Sequence, residues 1–135
     1  MREILFRGKD NSGVLNHSWC FGSLDTTLNE QPTIIYPDRF GNHCKIIVKE
    51  HTIGQYIGLT DKNGKKIFEG DVVKVEGFIE PSFIVIYYNG GFKLKEIGSP
   101  ELFAYYITET MVEEELIEAI GNIHDNPELV KGGEG

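Results

Sequence analysis

The sequence predicts a mainly β fold: short antiparallel strands forming a small, strongly curved, barrel-like sheet, with short helical turns near the C-terminus. A β-rich α+β arrangement is the alternative. Turn-forming residues recur about every ten positions, and the apolar runs between them are short and rich in valine, isoleucine and aromatics. Sixteen glycines without a Gly-X-Y period mark bends rather than a fibre.

The elements follow in chain order. Glu3 to Arg7 is strand-like, and Asp10-Asn11-Ser12-Gly13 supplies residues that tolerate turn geometry. Trp19 to Phe21 resumes an apolar strand that ends at Gly22. Thr33 to Tyr36 and Lys45 to Val48 are β-branched runs separated by a Pro37–Asn42 loop. Ile53 to Leu59 is another strand, in which Gly54 and Gly58 signal a bulge or a close backbone approach. The Asn63-Gly64 pair then predicts a type I′ hairpin turn, because Asn and Gly accept two successive positive φ angles cheaply. Val72 to Val75 follows Glu69-Gly70-Asp71. Phe83 to Tyr88 and Phe92 to Lys95 form a second hairpin across the link Asn89-Gly90-Gly91.

Helix is expected only in the last third. Ser99-Pro100-Glu101 fits a helix start, with Ser as cap and Pro at the first helical position. Residues Leu102 to Tyr106 suit a short helix or a strand equally. From Met111 to Ile120 the spacing is helical, while alternation through Glu118 to Ile123 favours a strand, and the two readings compete. Asp125-Asn126-Pro127-Glu128 caps a final turn. With neither repeat nor linker in view, residues 1–130 read as one domain, divisible into an N-terminal β part (1–50) and a barrel-like core (51–130), with a flexible tail at 131–135.

Composition bounds the setting. The 135 residues are 40% apolar and 25% charged, as expected for a globular protein large enough to build a core. The opening MREILFRGKD has too short an apolar run for a secretory leader, which needs roughly 7–15 such residues. No stretch approaches the roughly 20 apolar residues of a membrane span. A cytoplasmic protein with two reduced thiols, Cys20 and Cys44, and no membrane contact is therefore expected. The formal charge of −8 is unevenly spread: residues 1–68 carry +2 and residues 69–135 carry −10. An acidic C-terminal half repels a phosphate backbone, so nucleic acid is a disfavoured partner.

Three blocks then carry a resemblance. They are MREILFRGKD with Trp19-Cys20-Phe21-Gly22-Ser23-Leu24, the long central run from Gly54 to Val73, and Ile120-Gly121-Asn122-Ile123-His124-Asp125-Asn126-Pro127-Glu128-Leu129. In these blocks the chain resembles the YopX family, a group encoded mainly by phages and prophages of Gram-positive bacteria. Ile57 stands where that family usually has threonine. The resemblance implies a β-rich fold, a phage origin and a bacterial host cytoplasm, and it supplies no activity. Physically, Gly58, Asn63, Gly64, Gly70, Asp71, Gly121, Asn122, Asn126 and Pro127 read as a structural turn motif rather than a reactive one.

Chemical constellations are weak. His17-x-x-Cys20 and His43-Cys44 converge on a metal only if they sit on turns, since strand residues one or three apart face opposite ways. Cys20 has His17, His43, His51 and His124 as possible partners but no local nucleophile signature. Asp61, Glu69 and Asp71 offer a carboxylate set, although their loop context predicts solvent exposure and ordinary pKa values. No phosphate loop, cofactor motif or metal set is expected. The candidate contact set is Lys62, Lys65, Lys66, Lys74, Lys93 and Lys95 with Tyr56 and Tyr88, the ingredients of a single-strand nucleic-acid platform. The leading expectation is a non-enzymatic phage accessory protein acting through contacts with phage or host proteins and through self-association at an exposed strand edge or tyrosine patch. A nucleic-acid-binding β-barrel module and a small hydrolase are the alternatives.

Overall fold

Short β-branched runs with polar turns at both ends mostly pair with the run that follows them, while two pairings join runs distant in the chain. The structure is a computed structural model describing residues 3–26, 31–77 and 82–131. It comprises two units, Met1–Tyr56 and Ile57–Gly135. Beyond Lys131 the expected tail lies outside the described residues.

The first unit contains β1 (Phe6–Lys9), β2 (Trp19–Asp25), β3 (Thr33–Pro37) and β4 (His43–Ile47), antiparallel in the order β4-β3-β2-β1. The start of β5 (Gly54–Thr60) lies beyond β1, with Gly54 opposite Arg7. Cys20, Ile34, Ile46 and Val48 are buried together, flanked by Phe6, Leu15, Leu24, Tyr36 and Ile53. Gly22 does not end β2 as expected. Residues Trp19 to Gly22 pair with β1 and residues Ser23 to Asp25 pair with β3, so Gly22 marks the hand-over between neighbours. A Cβ there would run into the Ile35 carbonyl oxygen, so glycine is required by contact and not by a turn.

The loop after β1 is tied by a buried carboxylate. Asp10 is fully buried. Its Oδ1 accepts from the Ser12 N–H at 2.8 Å and the Ser12 hydroxyl at 2.6 Å, and its Oδ2 from the Leu15 and His17 N–H groups at 2.8 and 3.2 Å. Asn16 and His17 both take positive φ, near 60°, to bring those amides inward.

In the second unit β5 continues and pairs with β6 (Lys66–Phe68). There follow β7 (Asp71–Val75), β8 (Phe83–Tyr88), β9 (Gly91–Glu96), β10 (Tyr105–Tyr106), α1 (Glu109–Glu113), β11 (Ile117–Asn122) and α2 (Glu128–Lys131). Five strands form one antiparallel sheet in the order β10-β9-β8-β7-β11. Alternation along β7 and β8 sends Val73, Val75, Phe83 and Val85 to one face, where they pack with Ile57, Ile67, Leu94 and Ile117. Val72 and Ile84 point the other way, against Ile97, Ile86, Ile120, Ile123, Leu129 and Val130. Each such burial contributes about 2 kcal/mol relative to exposure.

The sheets do not close into a barrel. Closure needs the outermost strands to pair, and here β10 and β11 end the five-stranded sheet on opposite sides. In the first unit, Asp10 and Val48 make only an isolated bridge. The competition over residues 111–123 resolves into both outcomes in sequence. The Thr108 hydroxyl accepts from the Met111 N–H and starts α1, Glu115 at φ 54° stops it, and β11 begins two residues later. At the expected helix start before Glu101, a 3-10 turn over Glu101–Phe103 forms without a side-chain cap. Among the described residues no helix is long and apolar enough to cross a membrane.

Candidate functional site

The turn motif is built from bends fixed by carboxylate and amide side chains. Gly58, Gly64 and Gly70 take φ of 91°, 81° and 95°, a region only glycine enters cheaply. Asn63 does not share it, so the Asn63-Gly64 turn is not type I′. Instead Asp61 folds inward: Oδ1 accepts from the Asn63 and Lys65 N–H groups at 2.9 Å each, and Oδ2 from the Ala119 N–H of β11 at 2.9 Å. Burial raises its pKa, but the amides of Ala119, Lys65 and Asn63, with the Lys65 charge, outweigh that and hold it below the ordinary value. The exposure expected for Asp61 and Asp71 is thus corrected, since they are 6% and 2% exposed. Asp71 Oδ2 accepts from the Phe68 N–H at 2.8 Å. At the other end, Asn122 Oδ1 accepts from the His124 and Asp125 N–H groups, and Asn126 Oδ1 accepts from the Asn122 N–H. A Cβ on Gly121 would sit 2.5 Å from Asn126 Oδ1, and the Pro127 carbonyl accepts from the Val130 N–H in α2.

The lysine and tyrosine set is only partly brought together. Lys62, Lys65 and Lys66 are exposed on the β5–β6 turn. Strand register puts Lys74, Lys93, Lys95 and Tyr88 on one face of the five-stranded sheet, with Tyr106. Lys93, expected at a contact surface, is instead 8% exposed. Its Nζ lies 4.9 Å from the Tyr106 ring and 5.6 Å from the Tyr88 ring, so two ring faces solvate the charge in place of water. Lys74 stands opposite Glu118, and Lys95 is half-buried. Tyr56 belongs to the first unit.

Burial pushes the Cys20 thiol up, as does the charge of Asp10, and a raised thiol is a poor nucleophile. His17 Nδ1 is 3.1 Å from the Asp10 carbonyl oxygen, and Cys44 is half-buried on β4. Among the described residues no three His, Cys, Asp or Glu side chains are gathered to hold a metal.

What the sequence reading left undecided is the strip at β10. Leu102, Phe103, Tyr105 and Tyr106 are 72%, 65%, 42% and 74% exposed. Tyr105 rests edge-on against Phe83 with ring centroids 5.8 Å apart, and exposed Tyr87 leans on Phe92 at 5.3 Å. These contacts anchor the rings at one side while leaving the other side open. Beside the strip, Leu59, Ile107, Thr108, Glu109, Val112 and Glu113 line a groove of about 260 Å³. Sequence reasoning missed this groove, as it missed Arg7, which is buried with its guanidinium carbon 4.5 Å from the centre of the Trp19 ring.

Comparison with known proteins bears on the whole of this architecture. The family model described as YopX protein matches residues 6–131. The chain belongs to the YopX family. All of β1 to β11 lies within the matched span, so this YopX fold consists of the two antiparallel sheets rather than either alone. A solved structure, the crystal structure of protein EF1440 from Enterococcus faecalis, is similar with a TM-score of 0.56 at 22% identity, covering 96% of this chain and 99% of that one. At that identity the likeness is one of fold. No curated protein matches this YopX-family chain.

Proposed function

We propose that this chain is a non-enzymatic accessory protein, encoded by a phage or prophage and working in the bacterial cytoplasm, that acts through protein contacts at the β10 edge. The occupant is a second copy or a phage or host protein. One observation carries the reading: four large apolar side chains within residues 102–106 are exposed beside a sheet edge. Contiguous apolar exposure of this kind marks interaction surfaces, and tyrosine is enriched in them. The carboxylates of Asp10 and Asp61 are engaged by backbone amides and the Cys20 thiol is pushed up, which supports a scaffold over a hydrolase. The nucleic-acid alternative is weakened by Lys93, whose charge faces two of the protein's own rings rather than a phosphate.

Photo-cross-linking from a benzophenone side chain at position 106 in bacterial cells, with sedimentation equilibrium of the purified chain, tests this. Polypeptide adducts from position 106 but not from exposed Phe40, or a self-association weakened about tenfold by Phe103→Ser with Tyr106→Ser, is the expected outcome. A chain that neither cross-links there nor associates overturns the reading.

A further inference from the structure

Resting on that contact reading, we infer that the β10 strip and its groove receive an extended, basic segment of a partner protein, with a lysine or arginine side chain laid into the groove. The groove has the composition such a side chain needs. Leu59, Ile107 and Val112 offer apolar walls for an aliphatic stem, while Glu109 and Glu113, one helical turn apart on α1, bring carboxylates to the same groove for the cationic head. Ile107 and Thr108 follow directly on β10, so groove and strip are continuous along the chain. β10 is the last strand in the order of its sheet, a position that suits an extended occupant.

Charge selects the class of partner. From Ile97 to Val130 the sequence has no lysine or arginine and eight carboxylates, with Glu101 next to Leu102 in the strip itself. A second copy docking symmetrically would set Glu101, Glu109 and Glu113 against themselves, and a nucleic acid would set phosphates against them. A basic polypeptide meets neither penalty.

The probe is a short synthetic peptide alternating lysine and valine, titrated into the isotopically labelled full chain and followed by amide shifts. Its counterpart alternates glutamate and valine. The lysine peptide is expected to shift residues 101–113, to weaken as salt rises, and to bind about tenfold less well to Glu109→Gln with Glu113→Gln, whose exposed positions leave the rest of the spectrum unchanged. The glutamate peptide is expected to leave those amides unmoved. Equal binding of both peptides, or an unaltered affinity in the glutamine variant, overturns the basic partner while position-106 adducts keep the contact reading. No binding of the lysine peptide at low salt overturns the inference outright. If, in addition, position 106 yields no adduct and the chain does not self-associate, the contact reading falls with it.

Discussion

Replacing Gly22 with alanine is expected to destabilise the first unit by about 3 kcal/mol or more. The reason is contact alone. Gly22 is not in the left-handed region, so alanine meets no backbone penalty of its own, but its Cβ would occupy the place of the Ile35 carbonyl oxygen and crowd the Ile34 side chain at 3.1 Å. Backbone cannot yield as a flexible side chain does, because Ser23 is paired with Ile35 and Leu24 with Ile34 in the same ladder. The hand-over of β2 from β1 to β3 would have to open. The single tryptophan, Trp19, lies on β2 opposite Lys9, so its fluorescence during denaturant unfolding reports on this region. Gly91→Ala is the control: nothing lies within 4 Å of its would-be Cβ, and a change within about 1 kcal/mol is expected. Equal effects of the two substitutions would show that glycine at position 22 serves no close approach.

How much of this was legible in the sequence depends on whether the deciding interaction is local. Phe83 to Tyr88 reads correctly as β8 because an uninterrupted apolar run bounded by Asn-Gly leaves no competing state. The Asn-Gly rule also holds, but at the other pair. Asn89 and Gly90, at φ 51° and 88°, form a two-residue turn that sets Tyr88 opposite Gly91, whereas at Asn63-Gly64 only the glycine is left-handed. What separates the pairs is Asp61, held inside by the Ala119 amide 58 positions away, and no local pattern contains that bond. The barrel expectation failed for a related reason: glycine bends give curvature, while closure depends on which strands end up at the edges.

The candidate surface was half legible. The apolar run Leu102 to Tyr106 is plain in the sequence, but its exposure follows from β10 being two residues long and last in its sheet. Lys93 shows the converse. A lysine among tyrosines reads as a binding platform until the register reveals that Tyr106 lies directly across the ladder from it. Composition alone does not say whether such a set faces outward or itself.

Asp61→Ala is expected to cost about 3 kcal/mol, because it strands three N–H groups that one carboxylate serves, and bonds to a charged acceptor are worth more than neutral ones. The loss is not uniform. Asn63 and Lys65 are exposed and their amides can turn to water, but the Ala119 amide sits within β11, beside the Ala119/Gly121 irregularity of its ladder with β7. Hydrogen exchange at Ala119 should therefore accelerate more than at Asn63. The same substitution has a pH signature with a fixed sign. Folding lowers the Asp61 pKa beneath its ordinary 3.8, so the unfolded chain binds the proton more readily. The stabilisation is fully present above that value and disappears as pH falls through the lower folded one. Asp10, held down first by the Ser12 hydroxyl, acts in the same direction in the first unit. The parent protein should thus lose stability on acidification below about pH 4, and Asp61→Ala should lose less over that interval, since its share is already gone. Denaturation midpoints read down the acid range decide it. Parallel curves for parent and variant would mean that the carboxylate is not charged where the three amides meet it.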